Sequence, residues 1–230
     1  MPEACRIRAE TDGGPLAGGA PRAVWLTLGT TEGTVSVQSA AQRLISEQRP
    51  CHLIWDPLTG DIAQLISVLR AGRALGAADH LEWSPSRIRE QAAGVNAEGR
   101  ICVQIGVLGH PGEPFTSSAL VGVEAIVSWL DSWGVARRWP SGRPEGYRDG
   151  PYATLSCPRS STQWARGGHF GASQVPQCDN AGPGAIDIDR ITGPHGLRSR
   201  ALPPPRSEAA ALAIPALPGV GRPGRVGRRS

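Results

Sequence analysis

Between Trp164 and Asp189 the chain reads WARGGHFGASQVPQCDNAGPGAIDID, which brings His169, Cys178, Asp179, Asp187 and Asp189 within 21 residues. Imidazole, thiolate and carboxylate are the groups that bind a transition metal or move a proton near neutral pH. A catalytic zinc centre needs about three such ligands and one open position for water. The donor types are present in this segment, but no HExxH or CxxC spacing fixes them into a ligand set. Asp187 and Asp189 close the segment and read as carboxylates that satisfy backbone N–H groups or Arg190. Of the other histidines, His52 lies in an apolar, strand-like run and reads as a packed residue. His80, His110 and His195 lie in loop-like stretches and read as solvated. No Ser-His-Asp elbow, P-loop or GxGxxG fingerprint is present, so other enzyme classes find no support.

The elements that must position these groups follow from hydrophobic periodicity. Ala23–Leu28 (AVWLTL) is a continuous apolar run of strand length, and Ile101–Leu108 (ICVQIGVL) is the best candidate for a central strand. Cys51–Trp55 and Asp61–Ile66 predict two further strands joined through the turn Pro57-Leu58-Thr59-Gly60. Ser39–Gln48 places Ala40, Ala41, Leu44 and Ile45 on one helical face, with Pro50 as its stop. Ser117–Trp133 predicts a longer helix through Leu120, Val123, Ile126, Val127 and Leu130, ended by Gly134. Strands alternating with helices predict an α/β fold: a single domain, residues 22–192, with a central mixed β-sheet flanked by helices. Residues 1–21 read as an irregular N-terminal arm. From Trp139 to Arg166 the Pro, Gly and Ser content predicts a long ordered loop of the kind that lies over a binding face.

Composition bounds the rest. All 24 basic residues are Arg, and seven Trp stand against two Phe and two Tyr. The absence of Lys, with abundant Ala, Gly and Pro, fits a GC-rich coding sequence. The formal net charge is +4, but residues 193–230 hold seven Arg and one Glu, so this basic Pro/Gly/Arg-rich tail carries +6 and the remainder −2. Its low complexity predicts a disordered extension. A basic tail invites nucleic acid or an anionic surface, although nucleic acid is not the expected partner. No window approaches the ~18 apolar residues of a membrane span, and MPEACRIRAETDGG has no apolar signal core. Five cysteines without CxxC spacing define neither a disulfide framework nor a zinc knuckle. Cys51 and Cys102 read as reduced core residues, whereas Cys157 and Cys178 flank the key segment and are the one pair placed to approach each other.

Several separated stretches, in order, resemble the zinc-dependent N-acetylmuramoyl-L-alanine amidases, in particular the endolysins of actinobacterial phages. GTTEG at Gly29–Gly33 resembles the family's HTTEG. His52 to Gly76 is similar to its hairpin and following basic segment. Asn96-Ala97-Glu98-Gly99 with ICVQIGVLG resembles TNRAG and a QIEVVG strand, SWLDSWG and Trp139-Pro140 match, and GGHFGASQVP with GPGAID resembles GGHFGHSQVP with HxDPGAID. The likeness spans about Arg22 to Ile191 and implies the amidase fold, zinc as cofactor and the peptidoglycan stem peptide as partner.

The resemblance also locates what this chain lacks. The family's first zinc-binding His falls on Gly29, the second on Ala172 and the acidic ligand on Gly182. The assisting Glu falls on Gly106, and the polar residue before the acidic ligand on Asn180. Gly and Ala side chains neither bind Zn²⁺ nor transfer a proton. The resemblance therefore implies an endolysin-like protein directed at bacterial peptidoglycan, catalytically silent and without a resident metal, with Thr30, Thr31, Glu32, Asn96 and His169 as the expected wall of a peptide groove. The alternative is an active amidase with altered ligands, for which His169, Cys178 and Asp179 are the available donors. A third reading is an endolysin inactivated by decay or by engineering. A protein of this kind would remain in the host cytoplasm until released to the wall.

Overall fold

The structure, a computed structural model, describes residues 1–29, 35–75, 94–110, 112–146, 160–176, 178, 180 and 182–194. Its centre is a six-stranded mixed sheet in the order β1-β4-β3-β5-β2-β6. The strands are β1 (Cys5–Arg6), β2 (Arg22–Thr27), β3 (Leu53–Trp55), β4 (Ile62–Gln64), β5 (Cys102–Val107) and β6 (Gly168–Gly171). Only β3 and β4 pair antiparallel; every other neighbour is parallel. The α/β class and mixed sheet expected from periodicity are what the chain adopts.

β2 lies between β5 and β6, and every one of its residues is buried. That explains why it and β5 read as near-continuous apolar runs, since a parallel strand covered on both faces has no solvent side. Alternate residues serve two cores. Ala23, Trp25, Leu53, Trp55, Val103 and Ile105 face one apolar layer. Val24, Leu26, Ile54, Cys102 and Phe170 face the other, where helix α1 (Val37–Ser46) packs through Val37, Ala40, Ala41 and Leu44.

Helix ends depart from the periodicity for local reasons. Ser36 caps α1 by accepting the Ser39 N–H at 3.1 Å, so the helix starts two residues before Ser39. The helix expected from Ser117 is broken: Phe115–Ser117 is a 3-10 turn, Leu120 (φ 57°) and Gly122 (φ 84°) are left-handed, and α2 runs only over Val123–Ser132. Leu120 is still buried, but before the helix rather than on it. The N-terminal arm is also more ordered than its composition suggests. β1 pairs with β4, and Ile7 and Ala9 continue with N–H bonds to the Gln64 and Leu65 carbonyls. Part of the expected 139–166 loop is a short helix, α3 (Ser161–Ala165). Its Trp164 lies 4.3 Å from the buried Arg22 guanidinium and donates to Glu98, which also pairs with Arg22.

A buried polar network ties the segment after β4 to β5. His52 Nδ1 accepts the Gln104 N–H at 3.0 Å, so its proton sits on Nε2, 2.9 Å from the Arg70 carbonyl. Gln104 Oε1 accepts from Ala74 N–H, its amide donates to Asn96 Oδ1, and Asn96 in turn brackets Leu75 through both N–H and C=O. The expectation that His52 is packed holds, for it is fully buried. Burial pushes its pKa from 6.5 down to about 4, because a charged imidazole would be desolvated and would turn an acceptor into a donor facing another donor.

This network predicts an acid-sensitive fold. A histidine with a folded pKa below its unfolded value contributes stability that is complete above about pH 6.5 and is lost as pH falls toward about 4. At 1.36 kcal/mol per pKa unit the loss from His52 is up to about 3 kcal/mol. The Asp12 carboxyl is held below its usual 3.8 by the Arg70 hydrogen bond, so it titrates beneath that window. Urea unfolding at pH 7 and pH 4.5 should show this loss, and His52→Gln should remove the His52 share while leaving that of the buried His169, whose pKa is lowered to about 3; a pH dependence identical to the parent's would contradict the assignment.

Candidate functional site

The five positions singled out by sequence resemblance come together at the C-terminal ends of β2, β5 and β6. Gly106 pairs with Leu26 on one side and Ile54 on the other. Gly171 ends β6 opposite Trp25, and Ala172 follows at once. The Ser173 N–H donates to the Gly182 carbonyl at 2.7 Å, and Asn180 Oδ1 accepts the Gly182 N–H at 3.0 Å. Gly182 abuts Thr27, two residues before Gly29: a Cβ at position 182 would lie 2.5 Å from Thr27 Oγ1. The carboxyl ends of parallel strands are where α/β sheets place their ligand sites.

Neighbours stand where larger side chains would begin. A Cβ on Gly106 would meet the Leu28 side chain at 2.9–3.0 Å. Ala172 is fully buried in the same apolar layer as Leu26 and Val175. Gly29 has φ 55°, a left-handed conformation that costs a residue with a Cβ about 1 kcal/mol. Gly106 and Ala172 are packed over rather than left as an opening, whereas Gly29 is half-buried.

Two hydroxyls, not singled out by sequence, mark the junction. Thr27 Oγ1 and Ser173 Oγ are buried and make no hydrogen bond among the described residues. Thr and Ser carry no spacing signal, and only the fold brings the end of β2 against the turn after β6.

Zinc fits this donor set poorly. The described residues at the strand ends offer hydroxyls, one carboxamide and backbone, whereas a zinc centre is built from imidazole, thiolate and carboxylate. Among the described residues no three His, Cys, Asp or Glu side chains group to hold a metal ion. The alternative ligands diverge. His169 stacks on Trp25 and Trp139 in one apolar layer, while Cys178 is buried in the layer on the opposite face of the sheet. Asp179 and Cys157 lie outside the described residues.

The expected groove wall requires correction at two residues. His169 is fully buried, with Nδ1 accepting the Trp25 indole N–H at 3.1 Å. Burial first, and the Arg137 charge second, push its pKa down to about 3. Asn96 is buried in the Gln104 network. Asn96 makes its hydrogen bonds internally, and His169 is enclosed with its Nε2 buried and without a hydrogen bond among the described residues, so neither faces a surface groove. Thr30, Thr31 and Glu32 lie outside the described residues, as do His80 and His195. His110 is exposed and accepts the Gly112 N–H. Asp187 caps the Asp189 N–H and pairs with Arg143 at 3.3 Å, whereas Arg190 donates to the Thr116 and Ser118 carbonyls. The half-buried residues at the strand ends are Leu28, Gly29, Ser173 and Asn180.

No protein-family model and no curated protein matches the chain. Among solved structures it is similar to the Staphylococcus aureus hydrolase AmiA in complex with its ligand, at 10% identity and TM-score 0.43 over 81% of this chain and 73% of that one. It is also similar to the N-acetylmuramoyl-L-alanine amidase endolysin LysCS from Clostridium intestinale, at 14% identity and TM-score 0.45 over 83% and 93% of the two chains. The amidase LysC from the same organism shows 12% identity and TM-score 0.44 over 81% and 94%.

The packing over Gly106 is directly testable. Gly106→Glu should destabilise the protein by about 1–3 kcal/mol through overpacking against Leu28 and burial of a carboxylate. The same substitution should cost less in a Leu28→Ala background, which makes room. Equal costs in the two backgrounds, measured by denaturant unfolding, would show that Leu28 does not occupy that space.

Proposed function

We propose that this chain is a non-catalytic, endolysin-like protein of N-acetylmuramoyl-L-alanine amidase type that contacts the peptide stems of bacterial peptidoglycan. The observation that carries this reading is the gathering of Gly29, Gly106, Ala172, Asn180 and Gly182 at one set of strand ends, overlaid by Leu28 and Thr27. Chance similarity of scattered motifs would not bring all the chemically emptied positions to one place. Losing the entire ligand set removes both the Lewis acid and the general base on which amide hydrolysis by this route depends. Binding does not share that dependence, because a peptide is held by backbone groups and by the shape of a surface.

The contact surface in this reading is the rim made by Leu28, Gly29, Ser173 and Asn180, in place of the interior Asn96 and His169. Thr30, Thr31 and Glu32 follow Gly29 directly in sequence and remain part of the proposal. The source is an actinobacterial phage or its host, as the all-Arg, GC-rich composition suggests, and the protein acts after release from the host cytoplasm to the wall.

Retention on purified actinobacterial cell wall, beside zymography with added Zn²⁺ and metal analysis, tests both halves. The expected result is wall retention without lysis or stoichiometric zinc, and a drop of about tenfold in retention for Leu28→Arg and Asn180→Arg, each assayed well below its own melting temperature so that folded protein is compared. Lysis with one zinc per chain would establish an active enzyme with altered ligands. Retention no greater than that of an unrelated protein would remove the binding function.

A further inference from the structure

A second surface lies away from the strand ends, between the N-terminal arm and α2. A cavity of about 650 Å³ is bounded by Arg6 and Arg8 on the arm, by the segment after β4, and by Trp129 and Trp133 on α2. A second depression of about 430 Å³ adjoins it and leads to Arg100. Leu69 and Trp133 line both, so the two form one groove. Leu69 is 60% exposed, the largest exposure of an apolar side chain on that segment.

The groove combines two chemistries. Trp129 and Trp133 are only partly buried and meet edge to face, with centroids 6.5 Å apart. An indole face is apolar and carries negative π density, which complements the C–H face of a pyranose ring. Arg6, Arg8 and Arg100 are exposed and form no ion pair among the described residues. The other charges are mostly committed: Arg70 holds Asp12 at 2.9 Å and Arg137 holds Asp131 at 2.8 Å. Glu10 adds one negative charge to the wall.

From this we infer that the groove binds an acidic oligosaccharide, one bearing carboxylates at intervals along a chain of otherwise neutral sugars. Unpaired guanidiniums match carboxylates in charge and in fork geometry. The indoles take the sugar rings, and Glu10, Asp12 and Asp131 accept hydroxyl hydrogens. Glu10, the acid of this wall that forms no ion pair among the described residues, adds repulsion toward a nucleic acid, which carries a phosphate at every residue, so the mixed wall favours sparse negative charge over dense. This surface is independent of the strand-end site and of the function proposed for it.

The test uses the full chain and three probes: a hyaluronan hexasaccharide with a carboxylate on alternate sugars, neutral chitohexaose of the same length, and oligothymidylate. Tryptophan fluorescence titration, backed by calorimetry, should show hyaluronan bound at least about tenfold more tightly than chitohexaose or oligothymidylate. Arg6→Ser with Arg8→Ser, two exposed side chains outside the core, should weaken hyaluronan about tenfold with no change in melting temperature. Trp133→Leu should weaken both sugars. The inference is overturned if hyaluronan does not bind, if the arginine double variant binds it as well as the parent, which would assign the affinity to the basic tail, or if oligothymidylate binds more tightly.

Discussion

Trp25 is the residue on which the architecture turns. It sits in the middle of β2, fully buried, where its indole stacks near Phe115 and His169, meets Trp55 edge-on, and donates its N–H to His169. β3, β6 and the turn before α2 are therefore all registered against one side chain. A single large aromatic with a polar handle satisfied inside the core supplies both apolar area and a fixed orientation. Since β2 pairs with β5 and β6 at once, anything that sets β2 also sets the strand ends on which Gly29, Gly106 and Ala172 depend.

Leu28 covers Gly106, Thr27 presses on Gly182, and Gly29 adopts a left-handed turn. Close packing explains the pattern, since an interior does not keep voids of side-chain size when a neighbour can fill them. The consequence is that a larger side chain at Gly106 or Gly182 must displace a neighbour that contributes to the fold. The Thr27 and Ser173 hydroxyls, without a hydrogen bond among the described residues, and the Asn180 carboxamide are polar features of this junction.

Much of the architecture was legible from residue order. β2 and β5 appear as apolar runs, α1 as a stripe of Ala40, Ala41 and Leu44, and the β3–β4 hairpin through its Pro57–Gly60 turn. α2 was overextended because Leu120 has the right spacing for a helix, while the left-handed backbone at Leu120 and Gly122 interrupts it. The resemblance implies a place for Asn96 and His169 in a groove wall. Each is instead internal, and the reason is a partner distant in sequence: Gln104 and Leu75 for Asn96, Trp25 for His169.

What residue order determined by itself was local: which segments are apolar enough to be buried, where a Ser cap or a Gly interrupts, and that five positions carry side chains without metal-binding or acid-base chemistry. These depend only on residue type and near neighbours along the chain. The strand order, the gathering of those five positions at one end of the sheet, and the covering of Gly106 by Leu28 and of Gly182 by Thr27 were decided by tertiary structure. Periodicity states that a strand has two faces but not what each face meets. Contacts between residues 27 and 182, or 25 and 169, exist only once β2 is threaded between β5 and β6.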